Sequence, residues 1–238
     1  MGLKYQKEIK AAIKYFWTTR SQQIEKQVQG EVHDQGNRGA VTGGKQLDGF
    51  IILLRKIALD NGVPEQCIFI KGNNLPGFFR PTKDWDFIII SPKKHLIAAI
   101  ELKSQVGSFG NNFNNRTEEA LGSAVDIWTA YRENAFPNQQ PPWVGYIMIV
   151  EKSKASMSPV RVSETHFKPF KEFLNASYLD RYKMFCQKLM LERHYSATAV
   201  IWTSSDLLFG DLSDEISLHT YINTFAGFLK GKAEDFKI

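Results

Sequence analysis

Three stretches of this chain are apolar without alternation: Phe87-Ile88-Ile89-Ile90, Leu96-Ile97-Ala98-Ala99-Ile100 and Trp143-Val144-Gly145-Tyr146-Ile147-Met148-Ile149-Val150. A strand with one wet face alternates apolar and polar residues; a strand buried on both faces does not. The runs therefore read as buried strands. The spacing predicts strands over Cys67–Lys71, ending at Gly72-Asn73-Asn74, over Trp85–Ser91, halted by Pro92, over Leu96–Lys103 and over Trp143–Val150.

Helical spacing surrounds these runs. From Leu3 to about Val28, Ile9, Ile13, Phe16 and Trp17 make one apolar stripe. From Lys45 to Asn61, Leu47, Phe50, Ile51, Leu54, Ile57 and Ala58 share a face, and Asn61-Gly62 stops the helix. Gly107 to Arg116 reads as a glycine- and asparagine-rich loop. Thr117 or Asn115 would then cap a helix with Glu118 and Glu119 in its first turn, running to about Glu133 and burying Leu121, Val125 and Trp128. Beyond Val150 the pattern predicts irregular structure over Ser153–Pro169, a helix from Ala176 to about Tyr195, a strand over Ala197–Thr203 and a helix over Leu218–Leu229. The order helix, three strands, helix, strand places the chain in the α/β class, with flanking helices. No repeat or linker divides it. One domain over 1–238 is expected: an N-terminal helix and glycine-rich loop to 44, a core over 45–151 and an extension over 152–238.

Composition narrows the function. With 43% apolar residues the chain can bury a proper core, but no apolar run approaches the ~20 residues of a membrane span. The lysine-rich start, Met1 to Lys14, lacks the apolar core of a signal peptide. Cys67 and Cys186 stand far apart in apolar or helical surroundings and read as buried thiols of a reduced protein. No Cys/His cluster has zinc-ligand spacing, and the five histidines are scattered. A soluble, cytoplasmic protein is expected. The net charge of +5 and pI near 9.1 suit a polyanionic partner without establishing one. Residues 1–30 carry a local net charge of +4, which fits a solvated helix face or a helix facing phosphates.

The charges that carry chemistry sit at the strand ends. Asp86 opens one apolar run; Glu101 and Lys103 close the next. Residues i and i+2 of a strand share a face, so Glu101 and Lys103 point together while Leu102 points into the core. If the two strands form an antiparallel pair, the start of one lies beside the end of the other and all three residues meet. Two carboxylates suit a hard divalent cation such as Mg²⁺, with the Leu102 carbonyl a possible third ligand. A lysine beside that cation can orient water and offset charge developing on a phosphate. Asp84 has the same parity as Asp86 and competes with it; Asp86 is preferred because the apolar strand begins there.

Lys45 closes the glycine-rich stretch Gly30–Gly44, which also holds Arg38. That stretch is no P-loop, since Gln46 follows Lys45. A DNA-contacting loop and an ordinary surface loop fit it equally.

The trio and the strand–helix order resemble the PD-(D/E)xK nuclease superfamily. The segments Gly77-Phe78-Phe79-Arg80-Pro81-Thr82-Lys83-Asp84-Trp85-Asp86, Leu96 to Gly107 and Ser108 to Ala124 resemble the XhoI-type restriction endonucleases, densely from about Gly36 to Val150. Trp85, rather than proline, precedes Asp86. The resemblance implies a restriction-endonuclease-like core and a type II enzyme acting as a homodimer with Mg²⁺ on a palindrome in double-stranded DNA, CTCGAG. It also implies a cognate DNA methyltransferase in the same host. Asp86, Glu101 and Lys103 would be catalytic; Asp86, Glu101 and Leu102 would hold metal. Asn111, Asn112, Asn114, Asn115, Arg116 and Gln105 are candidate base readers, since Asn suits adenine edges and Arg suits guanine. Asparagines also shape tight loops and helix caps. Arg38, Lys45, Arg80 and Lys83 are candidate phosphate contacts.

Overall fold

A computed structural model describes residues 4–29, 45–164 and 166–237, with only the backbone of 24 and 26–29. Helix α1 spans Gln6–Gln29. A short 3-10 turn, Lys45–Leu47, leads into α2, Asp48–Asp60. Then come β1 (Ile68–Phe69), β2 (Asn74–Pro76), β3 (Thr82–Asp84), β4 (Phe87–Ile90) and β5 (Leu96–Gln105). Helix α3 (Phe109–Arg132) precedes β6 (Trp143–Glu151), which is followed by a single turn, α4 (Lys154–Met157), and by α5 (Tyr178–Leu191). The chain closes with β7 (Ala197–Thr203), β8 (Phe209–Asp211) and α6 (Leu218–Gly231).

Six strands form one mixed sheet in the order β1-β4-β5-β6-β7-β8; β2 and β3 form a separate hairpin. Strands β4 and β5 are antiparallel, whereas β5, β6 and β7 run parallel. Parallel neighbours need a crossover, and α3 and α5 supply the two required. Both sheet faces are covered, which is why the central strands are apolar without alternation. On one face α1, α2 and α6 bring Ile13, Phe16, Phe50, Ile57 and Phe225 against Ile100, Leu102, Ile147 and Ile201. On the other, α3 and α5 bring Ala124, Ile127, Tyr182 and Cys186 against Ala99, Tyr146 and Met148. Fully burying each large apolar side chain contributes roughly 1.5–3 kcal/mol.

This is the expected mixed α/β architecture, with the antiparallel β4–β5 pair in place and both cysteines buried and free. Four readings need correction. The expected loop over Gly107–Arg116 is helical from Phe109, so neither Asn115 nor Thr117 is a cap. Asparagine and glycine are poor helix formers, but Phe109 stacks on Tyr178 and Phe113 packs edge-on against Tyr182; this tertiary anchoring outweighs propensity. Gly107 (φ +63°) and Ser108 (φ +44°) make the left-handed corner that turns β5 into α3. Val125 faces solvent; Ala120, Ala124 and Ile127 form the buried face. The strand expected over Cys67–Lys71 keeps only Ile68 and Phe69, and a hairpin, β2–β3, follows it. The irregular stretch after Ser153 holds the single turn α4, whose capping box is closed by Ser153 and Ser156.

Candidate active site

The register of β4 on β5 pairs Phe87 with Ile100, so Asp86 falls beside Glu101 at the end of the pair. The Leu102 amide donates to Asp86 Oδ2 over 2.7 Å. Asp84 lies elsewhere: it is exposed on β3, where its carboxylate accepts from the Asn74 amide. Trp85, between the two aspartates, is buried and hydrogen-bonded through its backbone to Asn73.

Glu101 is 2% exposed and flanked by two ammonium groups. Lys103 Nζ approaches its Oε1 at 2.8 Å and Lys83 Nζ at 3.2 Å. The other carboxylate oxygen, Oε2, is buried without a hydrogen-bond partner among the described residues. Lys83 also lies over the Trp85 ring at 4.9 Å. Lys83 was expected to face phosphate; instead β3 turns it inward onto Glu101.

The two carboxylates are driven in opposite directions. Burial raises the pKa of Asp86, and the Leu102 N–H and the Lys103 charge offset this only in part. Burial works on Glu101 too, but Lys103 and Lys83 outweigh it and hold its pKa below the usual carboxylate value. Burial disfavours the Lys103 ammonium, but Glu101 more than compensates and raises its pKa. The surroundings thus favour the ionised form of Glu101 and disfavour that of Asp86.

Asp86 and Lys103 open onto a groove of about 390 Å³ that Gln105, Asn112, Arg116 and Arg20 also line. Gln105 is buried; its Nε2 donates to the Gly107 carbonyl at 2.5 Å while its Oε1 has no partner among the described residues. Asn112 donates to the Ser108 carbonyl at 3.0 Å, and Arg116 pairs with Glu119 at 2.6 Å. Asn111, Asn114 and Asn115 are exposed on the first turns of α3. Lys45 is exposed on the 3-10 turn that leads into α2. Arg80 sits apart at the β2–β3 tip, where Asp126 accepts from its Nε at 2.7 Å and from the Phe78 and Phe79 amides at 2.8 Å each. Arg38 lies outside the described residues.

Sequence reading missed Arg20, Gln46 and Ser104, which form a chain along the groove wall. Arg20 Nη1 donates to Gln46 Oε1 at 3.1 Å, and Gln46 Nε2 donates to Ser104 Oγ at 2.7 Å. One signal was present: Arg20 follows Trp17 by three residues and so continues the apolar stripe of α1, where an ordinary solvated arginine does not belong.

Donor chemistry bears on a metal. Asp86 and Glu101 supply hard carboxylate oxygens, one of them buried and unpartnered, which suits Mg²⁺ or a similar cation. No group of three or more His, Cys, Asp or Glu among the described residues is placed to hold an ion.

Residues 26–213 match the family model described as restriction endonuclease XhoI. The chain is 48% identical over 221 residues to the type II restriction enzyme BstVI of Geobacillus stearothermophilus, covering 90% of this chain and 91% of that one. It is 44% identical over 193 residues to the type II restriction enzyme XhoI of Xanthomonas vasicola, covering 79% and 77%. Against the type II restriction enzyme AbrI of Azospirillum brasilense it is 44% identical over 167 residues, covering 69% and 74%. No solved structure gave a significant match.

Proposed function

The chain belongs to the XhoI restriction endonuclease family, and from that premise we propose that it cuts both strands of duplex DNA at the palindrome CTCGAG, with Asp86, Glu101 and Lys103 as its cutting centre. The observation that carries the assignment of the centre is Glu101. Its Oε1 is held by two ammonium groups, while its Oε2 is buried with no partner among the described residues, which leaves one oxygen for a ligand. Leaving a buried carboxylate oxygen unpaired costs about 1–3 kcal/mol or more, so a cation at Oε2 would relieve that cost.

Asp86 and Glu101 would hold a divalent cation, Mg²⁺ in our reading, with the Leu102 carbonyl a further candidate ligand. When bound, the ion polarises the scissile phosphate and lowers the pKa of a coordinated water. Lys103 orients the attacking water and offsets negative charge building on the phosphate oxygens. The water gives up a proton to solvent as its oxygen bonds to phosphorus, the bond to the leaving sugar oxygen breaks, and that oxygen takes a proton from solvent. Lys83 takes no phosphate in this scheme; it fixes Glu101 Oε1.

Recognition falls to the N-terminal turns of α3. Asn111, Asn114 and Asn115 present amides to solvent on a helix end that carries positive partial charge, while Asn112, Arg116 and Gln105 line the adjoining groove. Lys45 and Arg38 are the remaining candidates for phosphate contact; Arg80 is committed to Asp126. A palindromic site suits a homodimer with one centre on each strand. The whole chain then acts as one nuclease domain, its core over 45–151, and the host carries a methyltransferase for the same site.

A digest tests this. Purified protein, Mg²⁺ and DNA of known sequence should give discrete fragments whose sequenced ends all fall in CTCGAG. Ends spread over many sequences would replace the reading with a nonspecific nuclease, and intact DNA would remove both.

A further inference from the structure

The groove beside the cutting centre has more unpaired donors and acceptors than its protein contacts use. Arg20 Nε, Arg116 Nε and Gln105 Oε1 are each buried without a hydrogen-bond partner among the described residues, and all three side chains line that groove. Buried polar groups in folded proteins are rarely left unpaired, so three around one groove mark a space shaped for a polar ligand.

Arg20 is the best placed of them. Trp17, one turn earlier on α1, donates through Nε1 to Thr203 Oγ1 at 3.1 Å, fixing the helix against β7. Through Gln46, itself 5% exposed, Arg20 is tied to Ser104, the residue after Lys103 on the strand that carries the cutting centre. Among the described residues Gln46 meets only Nη1, so the rest of the guanidinium has no protein partner where it lines the groove. Glu151, the acid whose charge acts on Arg20, accepts from the Gly107 amide at 3.0 Å. A planar guanidinium edge of this kind matches two oxygens of a phosphodiester, and more closely than a lysine could.

We infer that Arg20 is a positioning residue that binds a phosphate next to the scissile one, holding the DNA strand in register over Asp86, Glu101 and Lys103. The inference rests on the proposal that duplex DNA is the substrate. It assigns α1 a direct part in binding through one side chain rather than through its lysine-rich face.

The test separates the two. Wild-type protein is bound to duplex DNA containing the recognition site, with Ca²⁺ in place of Mg²⁺, over a range of salt concentrations. Single phosphates are then replaced one at a time by neutral methylphosphonates. In the wild type, one neutral replacement adjacent to the cut should weaken binding about tenfold. Arg20→Gln should bind unmodified DNA about tenfold more weakly, show a log–log salt slope shallower by about 0.9, and lose nothing further at that one phosphate. Arg20→Lys, which keeps the charge and guards against a folding artefact, should keep the slope while losing part of the affinity. Identical methylphosphonate profiles for wild type and Arg20→Gln would overturn the inference while leaving the nuclease reading intact. Wild-type protein that binds no DNA would overturn both. A thermal shift with inorganic phosphate that disappears in Arg20→Gln, alongside unchanged DNA profiles, would make the groove a free-anion site and also overturn the inference.

Discussion

Replacing Glu101 with glutamine probes the charge balance of the centre without changing its shape. The Glu101 side chain is 3% exposed, and those of Lys83 and Lys103 are 13% and 25% exposed. Glutamine would leave two largely buried ammonium groups without the carboxylate that both contact, and with only the more weakly coupled Asp86 nearby. Removing one partner of a buried ion pair costs about 3–5 kcal/mol; Lys103 keeps part of its surface in water, so the low end, about 3 kcal/mol, is expected. A chain of this size loses roughly 2–4 °C of Tm per kcal/mol, which places the variant ~6–12 °C below wild type. The assay is a circular-dichroism melt in EDTA at neutral pH. The sign of the pH dependence follows from the depressed pKa of Glu101. Its contribution is present above the unfolded carboxylate pKa and is lost as pH falls through the folded value, so the gap between the two proteins should close on acidification. Adding Lys83→Met to the variant should recover part of the loss. An equal or higher Tm for Glu101→Gln would refute the reasoning, since it would mean that the lysines do not balance the carboxylate.

Asp86→Asn should do the opposite in EDTA. The Asp86 pKa is raised, so its ionised form weighs against folding at neutral pH, and the variant should melt at or above the wild-type temperature while losing cleavage; a clear drop in Tm would contradict this. Ca²⁺ in place of Mg²⁺ should allow site-specific binding in a gel-shift assay with little cutting, because Ca²⁺ coordinates loosely. Phe113→Ala should remove the ring packed against Tyr182 and Phe185, cost about 2 kcal/mol for this half-buried side chain, and speed amide exchange over residues 109–116. Exchange confined to other segments would count against the role of Phe113 as the anchor of α3.

What could be read from the sequence follows from how local its signals are. Buried strands announce themselves by unbroken apolar runs, and β7 was legible to the residue at Ala197–Thr203. Glu101 and Lys103 share a face by strand parity alone, and Asp86 meets them as soon as β4 and β5 pair. The start of α3 was not legible, because Asn and Gly argue for a loop and only the distant Tyr178 and Tyr182 overrule them. Lys83 looked like a surface cation because nothing local shows that β3 folds back over Glu101. Arg20, Gln46 and Ser104 are brought together only by tertiary packing of α1 and the 3-10 turn Lys45–Leu47 with β5.

The most direct test of the cutting centre is a single-turnover assay on a duplex with one recognition site, comparing wild type with Asp86→Asn, Glu101→Gln and Lys103→Ala. Each variant should bind the duplex in Ca²⁺ and cut it at least a thousandfold more slowly in Mg²⁺, a loss of about 4 kcal/mol of transition-state stabilisation. A variant that cuts within about tenfold of the wild-type rate would contradict the assignment of that residue, and near-normal cutting by Glu101→Gln would contradict the centre as a whole.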